Sequence, residues 1–466
     1  MKKTDATSRQ TGGAGEMRRR EFIRAAGTTA VGAALSQAPS GAYAQAGTSG
    51  GSASGVREAL ASEGGAKCVT VPPKRVTELK RWPRYGEAEK KRLHEMIEQG
   101  VTYAENKQFE KEWAAYTGAP FVKAHMNGSS ALTSMYFALS LDVPPGSEVM
   151  VPSYTFFSAC LALRFSNLVP IFIDIDPKTA CFDLEDAKRK LTPRTVAVEV
   201  MHSWGLPCEM DHIFGWAKEK GLVTLEDASH AHGASMQGKK IGAWGDMAAF
   251  SLQASKPLPA IEGGVGMYKT REYFERAAAF GHYEDPGTFP KESPVYAYAG
   301  TGYGQKYRMH PFAAALARMQ LKELDATNAT VMKNVRALND RLIQLPGITE
   351  PRCRSDQQRV YYNGNMLFVD FKALGFSRPA LVGALKAEGV NVSFWDYPLQ
   401  HNMKIYAEAK WWHHAPTIPD KMPGGDFVNA NHIMLPLFYG DAEEVNEQYV
   451  RAFEKVWAHR ESLKKG

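Results

Sequence analysis

Four short stretches carry residue types able to do chemistry. In Ser251-Leu252-Gln253-Ala254-Ser255-Lys256-Pro257 an apolar run ends in a polar turn bearing one lysine, and Glu262-Gly263-Gly264 follows shortly after. Most lysines are solvated surface charges. One that follows a central strand, where α/β proteins gather their ligands, can have its amine partly desolvated and form a Schiff base. In Leu225-Glu226-Asp227-Ala228-Ser229-His230-Ala231-His232 a second apolar run ends in an acidic pair. Asn127-Gly128-Ser129-Ser130-Ala131-Leu132 opens a helical pattern. Free backbone N–H groups and two hydroxyls there suit a phosphate, although an ordinary helix cap has the same residues. Pro152-Ser153-Tyr154-Thr155-Phe156-Phe157 ends a third run with aromatics, suited either to stacking on a planar ring or to core packing.

A lysine amine and a carboxylate on neighbouring strand ends meet the two main demands of pyridoxal 5'-phosphate. The carboxylate keeps the pyridine nitrogen protonated, so that the ring accepts the electrons of a carbanion. Metal binding is the weaker reading. His230 and His232 lie two apart beside Asp227, and His413 and His414 are adjacent, but neither spacing fits a structural zinc site, so no metal is expected. GTGYG (300–304) has no strand–loop–helix context and reads as a loop.

The elements that must position these residues alternate. Apolar strands are expected at EVMVP (148–152), VPIFIDI (169–175), VAVEVM (196–201), LVTLED (222–227), MAAFSL (247–252) and GVGMYK (264–269), with helices over about 155–166, 184–191 and 209–220. Near-continuous apolar strands between helices predict an α/β domain with a mostly parallel sheet and ligands at the strands' carboxyl ends. A helical run over 326–345 leads to a second pattern: strand 366–371, a helix from Arg378, strand 432–438 and a closing helix. The expected division is a large domain over 75–325 and a smaller C-terminal α+β domain over 326–466. The segment holding Trp411, Trp412, His413 and His414 is expected as a loop near the mouth of the site.

The 466 residues are 44% hydrophobic and 23% charged, a globular composition that excludes disorder throughout. The formal charge of +6 is unevenly spread. Residues 1–44 hold seven basic and three acidic groups, leaving only +2 for the remaining 422 residues, which is no nucleic-acid footprint. Five scattered cysteines without CxxC form no disulfide framework. No apolar run is long enough for a membrane span. Arg19-Arg20-Glu21-Phe22-Ile23-Arg24, a weakly apolar stretch over 25–37 and Ala42-Tyr43-Ala44 look like a twin-arginine secretion signal. A plain basic N-terminus is the alternative. The expectation is a signal over 1–44, a Gly/Ser/Ala-rich linker over 45–74, and an exported, periplasmic protein.

In this order, NGSSAL, PPGSEVMVPSYTFFS, PIFIDIDPKT, LTPRTVAV, MHSWGLPCEMD, LEDASHAHGA, GKKIGAWGDMAAFSLQASK and GQKYRMHPFAAALARMQLKELD resemble the DegT/StrS family of sugar aminotransferases over roughly residues 75–460. The resemblance implies a fold-type I pyridoxal-phosphate enzyme, α/β, with a mostly parallel seven-stranded sheet flanked by helices. It implies Lys256 as the Schiff-base lysine that later moves the proton, and Asp227 as the partner of the pyridine nitrogen. It implies Ser251, Ser129, Ser130 and the amide of Gly128 as phosphate ligands, and Phe156 as the stacking aromatic. Two positions depart from the family. His230 stands where glutamine usually contacts the cofactor's phenolic oxygen, and it titrates near neutrality. Lys306 stands where asparagine often reaches the phosphate of the neighbouring subunit. The family's dehydratase branch carries histidine in place of the lysine, so Lys256 favours transamination. The implied reaction is ping-pong transfer from glutamate or glutamine to a keto-sugar or keto-cyclitol, in a homodimer that shares its active site across the interface. Export, where nucleotide sugars are scarce, tilts the acceptor toward a free sugar or cyclitol. The reading from another class is an exported regulatory or sensory protein that binds the cofactor without turnover.

Overall fold

The computed structural model describes residues 58–465. The leader expected over 1–44, and the linker up to residue 57, lie outside the described residues.

A helix over Ala104–Thr117 (α1) precedes an edge strand, Phe121–His125 (β1), and a buried helix, Gly128–Ser140 (α2). Strands follow at Glu148–Pro152 (β2), Val169–Ile173 (β3), Thr195–Met201 (β4), Val223–Asp227 (β5), Met247–Ser251 (β6) and Gly264–Tyr268 (β7). They form one seven-stranded sheet in the order β1-β7-β6-β5-β4-β2-β3. Strand β7 alone runs antiparallel to its neighbours β1 and β6; the pairs β6–β5, β5–β4, β4–β2 and β2–β3 are parallel. Both faces are covered, which is why these strands read as continuous apolar runs. Along β6, Ala248 and Phe250 belong to one core, and Met247 and Ala249 to the opposite one.

Strand β1 was not among the strands the sequence pattern predicts. Lys123 interrupts its apolar run, yet the structure leaves it only partly exposed and satisfies its ammonium with Asp285 at 2.7 Å and Glu110 at 3.3 Å. The run expected over 169–175 breaks at Asp174, whose backbone N–H donates to Asp186 at 2.8 Å.

A helix over Arg271–Gly281 (α3) leads, through a loop, to a 32-residue helix, Pro311–Leu342 (α4). The helix expected over 326–345 therefore starts earlier, with Pro311 in the first turn, where its missing N–H costs nothing. Strands Ile348–Thr349 (β8), Asn365–Val369 (β9) and His432–Leu435 (β10) form a three-stranded antiparallel sheet. Helices Arg378–Ala387 (α5) and Glu443–Ala458 (α6) pack against it in a third core with Leu381, Ile433 and Trp457.

The linker expected to reach residue 74 ends sooner. Leu60, Val71 and Leu79 are buried in that third core. The Glu388 carboxylate accepts the N–H groups of Ala61 at 2.8 Å and Cys68 at 3.1 Å. A helix begins at Pro73. The small-residue composition gives out near Ala66, and the apolar residues around it are enough to dock the segment.

Candidate active site

Strands β4, β5 and β6 end side by side, so Met201, Asp227 and Ser251 reach one cavity of about 450 Å³. The start of α2 closes one wall. Asn127 caps this helix: its side chain accepts the N–H of Ser130 at 2.8 Å, and the Ser130 hydroxyl accepts the N–H of Asn127 at 3.1 Å. The first helical N–H groups, of Gly128 and Ser129, have no partner within the helix and carry the positive end of its dipole. Two glycines let backbone approach backbone here. A Cβ on Gly128 would lie 2.7 Å from the Ser251 Cβ, and one on Gly264 would lie 2.2 Å from the Asn127 carbonyl oxygen. The Ser129 and Ser158 hydroxyls are 2.6 Å apart.

Asp227, only 3% exposed, accepts the N–H of Ser229 at 3.0 Å. Beside it on β4 is Glu199, fully buried, with one oxygen bonded to the Tyr136 hydroxyl and the other without a partner. Burial raises the Glu199 carboxyl well above its ordinary range, and the neighbouring Asp227 charge adds to the rise. Lys256 lies in the turn after β6. Its N–H donates to the Gln253 carbonyl at 2.8 Å, and its own carbonyl accepts from the Trp82 indole at 3.0 Å. Its ammonium lies 4.2 Å from the Tyr362 ring centroid. The other face of the aromatic cluster is His230, whose ring stacks on Tyr362 at 4.1 Å and whose Nδ1 accepts the Trp204 N–H at 3.4 Å. Burial, then the charge of Lys256, pushes His230 well below its ordinary value, so the ring is neutral at pH 7.

Of the nine residues singled out, Gly128, Ser129, Phe156, Asp227, His230, Ser251 and Lys256 line this one cavity. Phe156 stands half exposed at its wall, with Phe157 at a ring distance of 4.2 Å. Ser130 does not line it, because its hydroxyl is committed to the helix cap. Lys306 does not line it either; it is exposed, and its backbone bridges to His282. The loop holding His413 and His414 is not at the mouth. His414 lies 3.3 Å from Glu148, at the amino end of β2, opposite the ligand end of the sheet.

Tyr362, Trp395 and Tyr397 also line the cavity, and no sequence motif marks them. They arrive from more than a hundred residues downstream, and their type alone reads as core. Ser158 had a signal, since it ends the stretch that supplies Phe156.

The DegT/DnrJ/EryC1/StrS aminotransferase family model matches residues 83–453. The chain belongs to this family. It is 31% identical over 330 residues to 3-amino-5-hydroxybenzoate synthase of Amycolatopsis mediterranei, covering 65% of this chain and 83% of that protein. It is 32% identical over 318 residues to L-glutamine:2-deoxy-scyllo-inosose aminotransferase of Streptoalloteichus tenebrarius, covering 66% and 73%. The crystal structure of 3-amino-5-hydroxybenzoic acid synthase superposes with a TM-score of 0.67 at 27% identity, covering 82% of this chain and 98% of that one. The fold is that of the fold-type I aminotransferases, and the enzyme is a pyridoxal-phosphate-dependent aminotransferase. The cavity fits that cofactor: a cradle which any Cβ at position 128 would fill, hydroxyl and N–H donors around it, a buried carboxylate and an amine.

Proposed function

We propose that this aminotransferase moves an amino group from glutamine or glutamate to a keto-cyclitol or keto-sugar. The observation that carries the reading is the convergence of Lys256, Asp227 and the open start of α2 on one cavity. Bound there, pyridoxal phosphate supplies an electrophilic carbon and an electron-withdrawing ring. The amine of Lys256 holds the cofactor covalently and, once released, takes the proton from the donor's α-carbon and returns it on the other side of the exchange. The Asp227 carboxylate supports the ring nitrogen's positive charge. The N–H groups of Gly128 and Ser129, with the hydroxyls of Ser129 and Ser251, hold the phosphate. Neutral His230 gives a hydrogen bond without adding charge, and Phe156 covers the ring.

Two relatives named for the transfer of nitrogen from L-glutamine to an inosose support glutamine as donor and a cyclitol as acceptor. Lysine at position 256, in one cavity with Asp227, supports transamination over dehydration or a silent binding role. The exposure of Lys306 supports a homodimer in which it serves the partner's phosphate. The Arg19-Arg20 leader supports export through the twin-arginine route, with the cofactor inserted before transport. A reporter fused behind residues 1–44 tests this: export that survives Arg19→Lys with Arg20→Lys refutes it.

The functional test is a half-reaction screen. The purified holoenzyme is expected to be yellow, glutamine to shift its band, and a matching keto-cyclitol to restore it. A band that no amino donor moves, or its survival in Lys256→Ala, overturns the reading.

A further inference from the structure

A second polar groove, sharing no residue with the catalytic cavity, lies between α4, the strand pair at Ser235–Met236 and Gln357–Gln358, and the segment 350–361. Its volume is about 840 Å³. Four cations and two carboxylates line it, and their pairing is incomplete. Asp325 is taken by the Tyr116 hydroxyl at 2.5 Å and by Lys240 at 3.7 Å. Glu350 is taken by Arg336 and by the Asn339 amide at 2.6 Å. Arg352 turns away to Glu209 at 2.9 Å. Arg359 is left over. It is 92% removed from solvent, its Nε is buried without a hydrogen-bond partner, and among the described residues no carboxylate pairs with it. Its guanidinium carbon lies over the face of Tyr361, 4.2 Å from the ring centroid.

A charge taken out of water needs an opposite charge or full hydrogen bonding. An aromatic face returns only part of that cost and does not satisfy the in-plane N–H donors of the guanidinium. The planar guanidinium fork suits a group that offers two coplanar oxygens, a phosphate or a carboxylate.

We propose that Arg359 is the anchor of an oxyanion site, taking the phosphate or carboxylate group of a small molecule in the groove beside Lys240 and Arg336. The site is independent of the catalytic reading: it uses none of the residues assigned to the cofactor. It is joined to the catalytic cavity through a short piece of backbone. The Val360 N–H donates to the Gly205 carbonyl at 3.0 Å, and Tyr362, two residues on, lines the catalytic cavity.

The test uses holoenzyme, so that the cofactor's own phosphate already fills the cradle at Ser129 and Ser251. Inorganic phosphate and malonate are titrated calorimetrically in separate runs at matched ionic strength. A saturable site is expected for one of them, telling phosphate from carboxylate as the natural group. Arg359→Gln weakens it about tenfold or more, as expected for loss of a charge-assisted fork. Arg359→Lys keeps the charge without the fork and falls between. No saturable binding of either anion, or equal binding by wild type and a folded Arg359→Gln, overturns the proposal. Should Arg359→Gln not fold, the wild type decides alone. Cys353 is exposed on the same groove. The better-bound anion at saturation slows its alkylation if the proposal holds, and an unchanged rate refutes it.

Discussion

Gly128→Ala is the most exacting test of the cradle. The added Cβ meets the Ser251 Cβ at 2.7 Å and its Cα at 3.0 Å. Restoring an ordinary contact of 3.4 Å moves the start of α2 away from the end of β6 by about 0.7 Å. Neither side yields easily, because one is the first turn of a buried helix and the other a strand within the sheet. Overpacking of this kind costs about 1–3 kcal/mol, offset by up to about 1 kcal/mol from replacing glycine by alanine in a helix. The apoenzyme is therefore expected to lose about 3 kcal/mol at most. The effect on the cofactor is larger. A shift of this size breaks at least one charge-assisted hydrogen bond to the phosphate, worth about 1.5–3 kcal/mol, so affinity falls about tenfold to hundredfold. Absorbance titration of apoenzyme with pyridoxal phosphate gives the affinity, and thermal melts with and without cofactor separate it from stability. A folded Gly128→Ala whose affinity stays within about twofold of wild type would mean that the start of α2 is not the phosphate cradle.

Three further outcomes follow from the same geometry. Asp227→Asn keeps the shape and the hydrogen bond to Ser229 but loses the charge; turnover should fall by about a hundredfold or more while the protein remains folded, measured by single-turnover kinetics at saturating cofactor. Glu199 holds its proton in the folded chain, so its contribution is full below about pH 4.5 and is lost as pH rises toward its raised folded value, by about 1.4 kcal/mol per pH unit. Glu199→Gln should therefore gain on wild type between pH 5 and 8 in urea melts, and parallel pH profiles would contradict the buried neutral acid. His125 and His232, both pushed down to about 3 by burial, and His230 and His282, pushed well below their ordinary value, stay neutral in the fold. The unfolded chain takes up these protons first, so stability present above about pH 6.5 is lost on acidification, by about 1.4 kcal/mol per pH unit for each; a flat profile between pH 7 and 5 would refute it.

The parts of the site legible in the sequence share one property: each lies within a few residues of a strand end or helix start that the local pattern already marks. Asp227 ends β5, Ser251 ends β6 with Lys256 in the next turn, and Gly128 opens α2. Alternation of strand and helix brings such ends to one edge of a parallel sheet, so local reading sufficed. Ser130 shows the limit of residue type, since a serine at the third helical position serves a ligand or the cap equally well, and only the two hydrogen bonds to Asn127 decide. Tyr362, Trp395 and Tyr397 show the limit of range. They reach the cavity only because β9 and β10 fold back toward the main sheet, and no short pattern marks that. Lys123 hid an entire strand because its two carboxylate partners come from elsewhere in the chain.

The departure at position 230 is smaller in chemistry than in spelling. A histidine in place of glutamine threatens to bring a second positive charge next to Lys256. The structure prevents it twice over, by removing the ring from water and by setting it near that very amine, and both effects hold the proton off. With Nδ1 accepting the Trp204 N–H, the remaining hydrogen sits on Nε2, and the side chain presents one neutral donor, as an amide does. What does change is shape. A flat ring offers a face that an amide lacks, and Tyr362 stacks on it while its own ring lies against the lysine ammonium. Trp204 edges the same cluster, 5.7 Å from His230 and 6.2 Å from Tyr362. The histidine and the downstream aromatics are thus one unit: the His230 ring gives Tyr362 a surface on which to hold the wall of the cavity.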